Sequence, residues 1–287
     1  MTMENQPLKD IVVIYHAHCP DGMASAWCAW KKFGESATYL PCSDRKNPPE
    51  GLIDKEVYIL DFSYPREVLK DLDQKNKKLV ILDHHISTKD DVLSVQGGVF
   101  NIEKSGAGLS WEYFCGGEMP KLLVHIQSKD IGLKLDEDTE LSERVIATPF
   151  TFQDYEEIIT KFEHDAEKVI QEGKIINLFT KQIFDMVLED YEMITFEGHT
   201  MPSINITLPL TTKSQALTLL YRKIPPIAMA YRYENGFWKI SLRSDGSVDC
   251  SALASKYGGG GHKGSAGFAV SAELPLPFAK VVEKKEV

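Results

Sequence analysis

Four short stretches of the chain carry residues whose types and spacing could do chemistry. The stretch YHAHCPDGMASAW, residues 15–27, holds two histidines, a cysteine and an aspartate within seven positions. One apolar run leads into Asp61, another leads into Asp130, and a third ends in LDHH at residues 82–85. Imidazole and carboxylate groups together are typical ligands of Mn²⁺, Zn²⁺ or Fe²⁺, and an excess of carboxylates favours Mn²⁺.

The residues that could bind metal lie near the ends of apolar segments. They are His16, His18, Cys19, Asp21, Asp61, Asp83, His84, His85 and Asp130. Asp61 could bridge two ions, and two metals about 3.5–4 Å apart are the usual apparatus for hydrolysing phosphate esters. The alternative is structural, because single aspartates often cap helices and a single histidine at a strand end often has a structural role. Capping would have to be invoked separately for each strand, so the joint occurrence favours a metal site.

A second group of candidate residues lies in KYGGGGHKGSAGF, residues 256–268. Consecutive glycines expose backbone N–H groups and permit positive φ, which suits a cradle for anions. The candidate anion-binding residues here are Gly259, Gly260, Gly261, His262 and Lys263. Upstream, Arg243 could bind phosphate oxygens bidentately. A flexible loop is the alternative interpretation of the glycines, and a surface salt bridge is the alternative for Arg243.

Strands must position the first group of residues. IVVIY (11–15), VYILDF (57–62) and KKLVILDHH (77–85) are apolar runs, and MASAWCAWKKF places apolar residues at helical spacing after the first of them. Ligands of an open parallel α/β sheet bind at the carboxyl ends of its strands, where these polar residues lie. The alternation of strands and helices therefore predicts an α/β domain with a parallel sheet.

The middle of the chain is predicted to be mainly helical. SGAGLSWEYFCG, residues 105–116, starts a helix, and an apolar segment at residues 122–130 leads into Asp130. Apolar positions recur at helical spacing through the charged stretch 152–195. We interpret this stretch as closing helices of the first domain and a connector.

The C-terminal part has a different pattern, typical of a smaller α+β domain. Glu234-Asn235-Gly236 is a strong hairpin turn between two strand-like segments. CSALASKY predicts a short helix, and SAGFAVS predicts a final strand. We expect residues 1–195 to form the metal-binding domain with its closing helices, and residues 196–287 to form the α+β domain.

Composition and charge limit the classes of function that the protein can have. The 287 residues are 43% hydrophobic, 10% aromatic and 26% charged, an ordinary globular profile for two domains. A net charge of −10 argues against a protein that coats nucleic acid, since phosphate contacts need a basic field. No apolar run is long enough to span a membrane, and MTMENQPLKD has no signal-peptide core. The five scattered cysteines, without a CxxC pair, favour a cytoplasmic location.

With LDHH at 82–85 and GGGGHKGSAGF at 258–268, the chain resembles the DHH phosphoesterase superfamily, in the branch with a DHH-associated C-terminal domain. That group includes RecJ-like exonucleases, nanoRNases, 3′-phosphoadenosine-5′-phosphate phosphatases and cyclic-dinucleotide phosphodiesterases. The two motifs stand in the family's order, about one domain apart, and the resemblance covers nearly the whole chain. It implies a metal-dependent phosphoesterase that uses two Mn²⁺ ions, with Mg²⁺ or Co²⁺ as substitutes.

The resemblance also implies roles for individual residues. The implied metal ligands are His16, Cys19, Asp21, Asp61, His84 and Asp130, with Asp61 bridging the two ions. His85 would lie next to the scissile phosphate and act, with Asp61, in catalysis. Arg243, the glycine loop, His262 and Lys263 would bind the phosphate or nucleotide of the substrate.

One position departs from the family pattern. The family usually has an aspartate two residues before the Asp-Gly pair, and this chain has Cys19 there. The spacing from His16 is also one residue shorter than in many relatives. Cysteine is a soft ligand that suits Mn²⁺ poorly. Either Cys19 binds as thiolate, or His18 or water replaces it, or that ion is held weakly; one branch of the family shares the H-x-x-C-x-D-G form, so we do not interpret it as inactivation.

These observations predict hydrolysis of short oligonucleotides or dinucleotides to mononucleotides by a water activated between two metals. The alternatives are a 3′-phosphoadenosine-5′-phosphate phosphatase and a catalytically impaired nucleotide-binding protein. A processive exonuclease, a pyrophosphatase and a thiol-based function centred on Cys19 have less support. The expected partner is a short oligonucleotide, a dinucleotide or a small phosphorylated nucleotide, with no membrane and no extended nucleic-acid track. The sequence leaves open whether the protein forms a homodimer.

Overall fold

The computed structural model describes residues 7–133, 141, 144–145, 151–208 and 210–281. It divides into two compact units, Met1–Asn177 and Leu178–Val287. The division lies within one long helix, whereas the sequence analysis places the domain boundary after residue 195; that boundary stays a prediction. Within the described ranges, no helix is both long enough and apolar enough to cross a membrane.

Unit one is built on a parallel sheet of five strands. In chain order they are β1 (Ile11–His16), β2 (Ala37–Cys42), β3 (Glu56–Leu60), β4 (Lys78–Asp83) and β5 (Gly98–Phe100). Their order across the sheet is β2-β1-β3-β4-β5, and every neighbouring pair is parallel. The central strands are continuous runs of Val, Ile and Leu because both faces of the sheet are buried, each against its own apolar cluster. The parallel sheet predicted from the sequence is confirmed.

Helices cover this sheet. They are α1 (Pro20–Phe33), α2 (Arg66–Lys75), α3 (Lys89–Val92), α4 (Gly106–Phe114), α5 (Lys121–Asp130) and α6 (Phe152–His164), followed by α7 (Ala166–Glu189), which crosses the division between the units. Pro20 occupies the first turn of α1, where its missing N–H costs no helical hydrogen bond. The side chain of Ser105 accepts a hydrogen bond from Gly108 N at the start of α4, which fixes where that helix begins.

Two predictions about the middle of the chain need refinement. The apolar segment that leads into Asp130 is the helix α5, whose buried face is at Leu122, Leu123 and Ile126. The helical pattern of residues 152–195 ends at Glu189, because Glu192 begins a strand that pairs with its neighbour in the second sheet.

The described part of unit two contains the end of α7, a seven-stranded sheet and two further helices. Its elements are β6 (Glu192–Phe196), β7 (His199–Asn205), α8 (Leu210–Lys223), β8 (Ile227–Glu234), β9 (Phe237–Ser244), α9 (Cys250–Ser255), β10 (Gly260–His262), β11 (Ser265–Ser271) and β12 (Ala279–Lys280). The order is β10-β11-β9-β8-β7-β6-β12, antiparallel except for the parallel pair β7–β8. Asn235 and Gly236 both have positive φ, 49° and 82°, as a two-residue hairpin turn requires, so the predicted turn is confirmed.

Candidate metal centre

Three neighbouring strands of unit one end at the same edge and deliver polar side chains there. His16 is the last residue of β1, Asp61 directly follows β3, and Asp83 ends β4 ahead of His84 and His85. Because β3 lies between β1 and β4, Asp61 stands at the middle of the group. The polar residues at the ends of the apolar strands in the sequence predict this edge.

Asp61 is the centre of the site. It is only 1% exposed, and its backbone adopts a left-handed conformation with φ of 63°, which is uncommon for a residue other than glycine. One carboxylate oxygen, Oδ2, lies 3.2 Å from His16 Nδ1 in a hydrogen bond. The other, Oδ1, lies 3.3 Å from His84 Nε2 but makes no hydrogen bond. The carboxylate therefore faces imidazoles from two different strands.

Helix α1 brings Asp21 to the same place, although its side chain belongs to a helix and not to a strand end. Asp21 is 1% exposed, and its Oδ1 accepts hydrogen bonds from Ser105 Oγ at 2.5 Å and from Ala107 N at 3.1 Å. Its second oxygen, Oδ2, is buried and has no hydrogen-bond donor. The start of α4 thus holds one side of the carboxylate and leaves the other oxygen available.

Asp130 reaches the site from the last residue of α5. Its Oδ2 lies 3.2 Å from His84 Nε2. His84 therefore stands between two carboxylates, those of Asp61 and Asp130, and this arrangement suits a shared cation better than a hydrogen-bond network, since His84 Nε2 is buried without a hydrogen-bond partner.

Asp83 does not point toward a metal position; it organises the two histidines that follow it. Its buried carboxylate accepts hydrogen bonds from the backbone N–H groups of His84 and His85, at 2.8 and 3.2 Å, and from His85 Nδ1 at 2.7 Å. Thr88 Oγ1 donates to its second oxygen at 2.5 Å. The hydrogen bond at Nδ1 orients the His85 ring and leaves Nε2 as its reactive nitrogen.

Three buried polar atoms in this cluster have no hydrogen-bond partner among the residues that the structure describes: Asp21 Oδ2, Asp61 Oδ1 and His84 Nε2. Orphaned buried polar atoms are costly, so their convergence indicates that the cluster is built for a ligand. The potential ligand atoms form three overlapping groups, each within 4.8 Å: His16, Cys19 and Asp61; Asp61, His84 and His85; Asp21, His84 and Asp130. Carboxylates mixed with imidazoles fit a divalent transition metal.

The charges of the cluster show the same need for a cation. Burial raises the pKa of Asp21 well above its ordinary value, and the negative charges of Asp61 and Asp130 add to this effect. Burial and Asp61 also raise the pKa of Asp130. Burial opposes ionisation of Asp61 too, but the contacts with His16 and His84 outweigh it and hold its pKa below the ordinary range. A bound cation would remove the repulsion among the three carboxylates.

Cys19 lies beside His16 and Asp61 in one of the three groups. It is the residue before α1 and its side chain caps no backbone N–H of that helix. Burial, together with the charges of Asp61 and Asp21, raises the pKa of the thiol well above its ordinary value. His18 is exposed, has a φ of 58° and belongs to none of these groups. The placement favours Cys19 over His18 at the position where the family has an aspartate.

Ser105 and Gly106 contribute to the site without having been predicted. A Cβ on Gly106 would lie 2.5 Å from Asp61 Cβ and 2.8 Å from Asp21 Oδ2, so only glycine permits this approach of α4. A Ser-Gly pair at the start of a predicted helix was the available signal, but such pairs are common at helix starts that have no other role.

The predicted phosphate-binding residues all lie in unit two. Gly260, Gly261 and His262 form the short strand β10, which pairs with β11, and Lys263 is exposed beside it. A Cβ on Gly259 would lie 2.2 Å from Gly267 O, so the close packing against β11 requires glycine at position 259.

Arg243 lies on β9, opposite Ser265 of β11. Its Nε is buried with no hydrogen-bond partner among the described residues. Burial lowers the pKa of the guanidinium. An anion would relieve this cost, so the placement is compatible with the predicted role.

Comparison with known proteins finds a family model that matches part of the chain. Residues 214–284 match the DHHA1 domain. This DHHA1 region includes Arg243 and the glycine loop, and the match supports a DHH superfamily protein. Uncharacterized protein R106 of Acanthamoeba polyphaga mimivirus is 27% identical over 310 residues, covering 94% of this chain and 70% of that protein.

A search of solved structures finds chains with a similar fold. The pGpG-specific phosphodiesterase PggH from Vibrio cholerae has a TM-score of 0.52 and 13% identity, covering 92% of this chain and 94% of that one. At this identity the likeness shows the fold. RecJ from Thermus thermophilus, in complex with Mn²⁺, has a TM-score of 0.48 and 14% identity, covering 92% of this chain and 50% of its own.

Proposed function

We propose that this protein is a metal-dependent phosphodiesterase that hydrolyses dinucleotides or very short oligonucleotides. The observation that carries the proposal is the set of three orphaned, buried ligand atoms at the edge of the sheet: Asp21 Oδ2, Asp61 Oδ1 and His84 Nε2. Helix caps and structural histidines would be hydrogen-bonded, whereas metal ligands have no need of a protein partner. The DHHA1 match and the shared fold support the same class of reaction.

Two divalent cations, Mn²⁺ in the first instance, would supply Lewis acidity and lower the pKa of an attacking water. His16, Cys19 and Asp61 would hold one ion, and Asp21, Asp61, His84 and Asp130 would hold the other. Asp61 is suited to both because its two oxygens face different imidazoles.

His85 is the proposed general acid. Its Nδ1 hydrogen bond to Asp83 fixes the orientation of the ring, so a proton carried at Nε2 would be in position to pass to the leaving oxygen. Thr88 and the backbone N–H groups hold Asp83 in place. The DHHA1 region would bind a terminal phosphate or nucleotide through Arg243 and the glycine loop.

A substrate panel tests the proposal. Purified full-length protein with Mn²⁺ is given the linear dinucleotide pGpG, a pentanucleotide, a cyclic dinucleotide and 3′-phosphoadenosine-5′-phosphate, and products are resolved by chromatography. We expect the dinucleotide to be hydrolysed at least tenfold faster than the pentanucleotide, and Asp61→Asn to lose activity. The matched control, Asp73→Asn, replaces an exposed aspartate on α2 and should keep wild-type rates.

Other results of the panel would redirect the assignment. Faster cleavage of the pentanucleotide would contradict the short-substrate proposal. Hydrolysis of 3′-phosphoadenosine-5′-phosphate alone would identify a phosphomonoesterase. Nucleotide binding without any hydrolysis in Mn²⁺, Mg²⁺ or Co²⁺ would identify a nucleotide-binding protein.

A further inference from the structure

The loop after β2 places an arginine at the rim of the metal centre. β2 and β1 run parallel, with Cys42 opposite His16, so the loop begins at the edge where the centre lies. Arg45 Nη2 lies 3.4 Å from His16 Nε2. No feature of the sequence pattern had singled out this residue.

The loop that carries Arg45 is anchored on both sides of it. The carboxylate of Asp44 accepts hydrogen bonds from Lys46 N at 2.7 Å, from Asn47 N at 3.1 Å and from Asn47 Nδ2 at 3.0 Å. Cys42 Sγ donates to Asp44 O at 3.1 Å and lies 3.2 Å from the hydroxyl of the fully buried Tyr64. Arg45 is therefore held at the site by a preorganised turn.

Arg45 makes no ion pair with any of the residues that the structure describes. Across the described part of the chain, no carboxylate lies within ion-pair distance of its guanidinium, and its one side-chain contact is His16. A guanidinium is always charged and cannot bind a metal ion. Its planar fork of N–H donors matches the oxygens of a phosphate. A fixed, half-buried cation beside a metal centre is best explained by an anion that binds there.

We propose that Arg45 binds a non-bridging phosphate oxygen of the substrate beside His16; this inference rests on the proposed function. In the hydrolysis, the oxygen of water forms a bond to phosphorus and releases one proton, the bond from phosphorus to the leaving oxygen breaks, and the leaving oxygen takes up one proton. Arg45 keeps all its protons and stabilises the charge on the phosphoryl oxygens as these bonds change. Such preorganised donors are typically worth about 10²–10³-fold in rate.

The test compares Arg45→Gln and Arg45→Lys with Lys46→Gln, in which the neighbouring exposed cation of the same loop is removed with the same change of net charge. Three quantities are measured on the full chain: Mn²⁺ affinity by calorimetry, Mn²⁺-dependent binding of inorganic phosphate, and kcat and KM for pGpG. Arg243→Gln is included to identify phosphate that binds in unit two. Binding of phosphate there is expected to be independent of Mn²⁺.

We expect Arg45→Gln to weaken Mn²⁺-dependent phosphate binding at least tenfold and to lower kcat/KM about 10²-fold, with Mn²⁺ affinity unchanged within threefold. Arg45→Lys should lie between it and the wild type, because an ammonium group lacks the bidentate fork. Lys46→Gln should match the wild type.

Three outcomes would overturn the inference. A loss of Mn²⁺ affinity in Arg45→Gln, with phosphate binding to the loaded protein intact, would make Arg45 a positioning residue for His16. If Arg45→Gln and Lys46→Gln behave identically, Arg45 is a bystander. If the wild-type protein binds no phosphate in the presence of Mn²⁺, Arg45 has no phosphate to bind. If phosphate binding depends on Arg45 but no phosphodiester is cleaved, the inference stands and the proposed function fails.

Discussion

Each carboxylate of the cluster has a different balance between burial and its neighbours. Asp61 has imidazoles on both oxygens, and its pKa is held low. Asp21 has a hydroxyl and a backbone N–H on one oxygen only, which does not offset its burial beside two other carboxylates, so its pKa is raised. At neutral pH the ionised form of Asp21 therefore opposes folding of the metal-free protein and favours metal binding.

Replacing Asp21 by asparagine should separate these two effects. When the pKa of a carboxyl group is raised in the folded state, the protein loses stability as pH increases from the unfolded-state pKa of about 3.9 toward the raised pKa. Asp21→Asn removes that loss, so at pH 7 the metal-free variant should melt about 2–4 °C above the wild type, for roughly 1 kcal/mol in a chain of this size. Added Mn²⁺ should stabilise the wild type and not the variant.

Melting curves at pH 4 and pH 7, with and without Mn²⁺, check this prediction. The advantage of Asp21→Asn should shrink at pH 4, because the loss of stability builds up only as pH rises above the unfolded-state pKa of about 3.9. Asp73→Asn serves as the control for the lost charge. A variant that melts below the wild type at pH 7 and still gains stability from Mn²⁺ would contradict the assignment of Asp21 as a ligand.

Cys19 is the residue at which the chain departs from the motif of the DHH superfamily that it resembles, and its location beside His16 and Asp61 makes the departure testable. With Co²⁺ bound, the wild type should show thiolate-to-cobalt charge-transfer absorption that Cys19→Asp lacks, since only a ligand sulfur produces it. Cys19→Asp should retain or raise activity with Mn²⁺, because a carboxylate suits Mn²⁺ better than a thiolate. Cys19→Ala should lose metal affinity. If Cys19→Asp and Cys19→Ala both behave as the wild type, Cys19 is a bystander.

At the scale of elements, helix starts do as much for the site as strand ends. The strands β1, β3 and β4 supply His16, Asp61 and the histidines, but α1 supplies Asp21 and α4 secures it. The close approach of α4 is possible because Gly106 has no side chain. Much of this edge was predictable, because apolar strands that end in polar residues have a strong pattern; the contribution of α4 was not, since its residues have no chemistry of their own.

Two serines, the N-cap Ser105 and Ser110 within α4, test this contribution with a matched control. Ser105 Oγ bonds both Asp21 and Gly108 N, whereas Ser110 Oγ is equally buried but makes no hydrogen bond. Ser105→Ala should cost about 1–2 kcal/mol through the lost helix cap and should weaken Mn²⁺ binding. Ser110→Ala should be neutral or slightly stabilising. Chemical denaturation and calorimetry give both quantities, and equal effects of the two substitutions would show that Ser105 has no special role.

At the scale of the whole molecule, the two units have different chemistry. Unit one concentrates carboxylates and imidazoles, which suit cations, and unit two offers Arg243, Lys263 and backbone N–H groups, which suit anions. The overall charge of −10 is thus a poor guide to either site.

Arg243 allows the anion-binding role of unit two to be measured. If Arg243 has the proposed role, Arg243→Gln should raise the KM for pGpG at least tenfold while Mn²⁺ affinity stays at the wild-type value, because a guanidinium can bind a phosphate but not a metal ion. The free energy of unfolding of Arg243→Gln should change little, because the Nε atom that the substitution removes has no hydrogen-bond partner among the described residues. Arg222→Gln, an exposed arginine of α8, is the control. Unchanged KM in Arg243→Gln would reassign Arg243 to a structural role.

The sequence by itself determined the parallel sheet of unit one, the hairpin at Asn235-Gly236 and the grouping of His16, Asp61 and the LDHH residues. Hydrophobic periodicity and turn chemistry are local, and parallel strands bring their carboxyl ends together whatever their sequence. Only the tertiary structure decided that α5 delivers Asp130, that Ser105 and Gly106 serve Asp21, and that Arg45 lies against His16. Those contacts join residues distant in the chain through side-chain orientation and packing, which leave no periodic signal in the sequence.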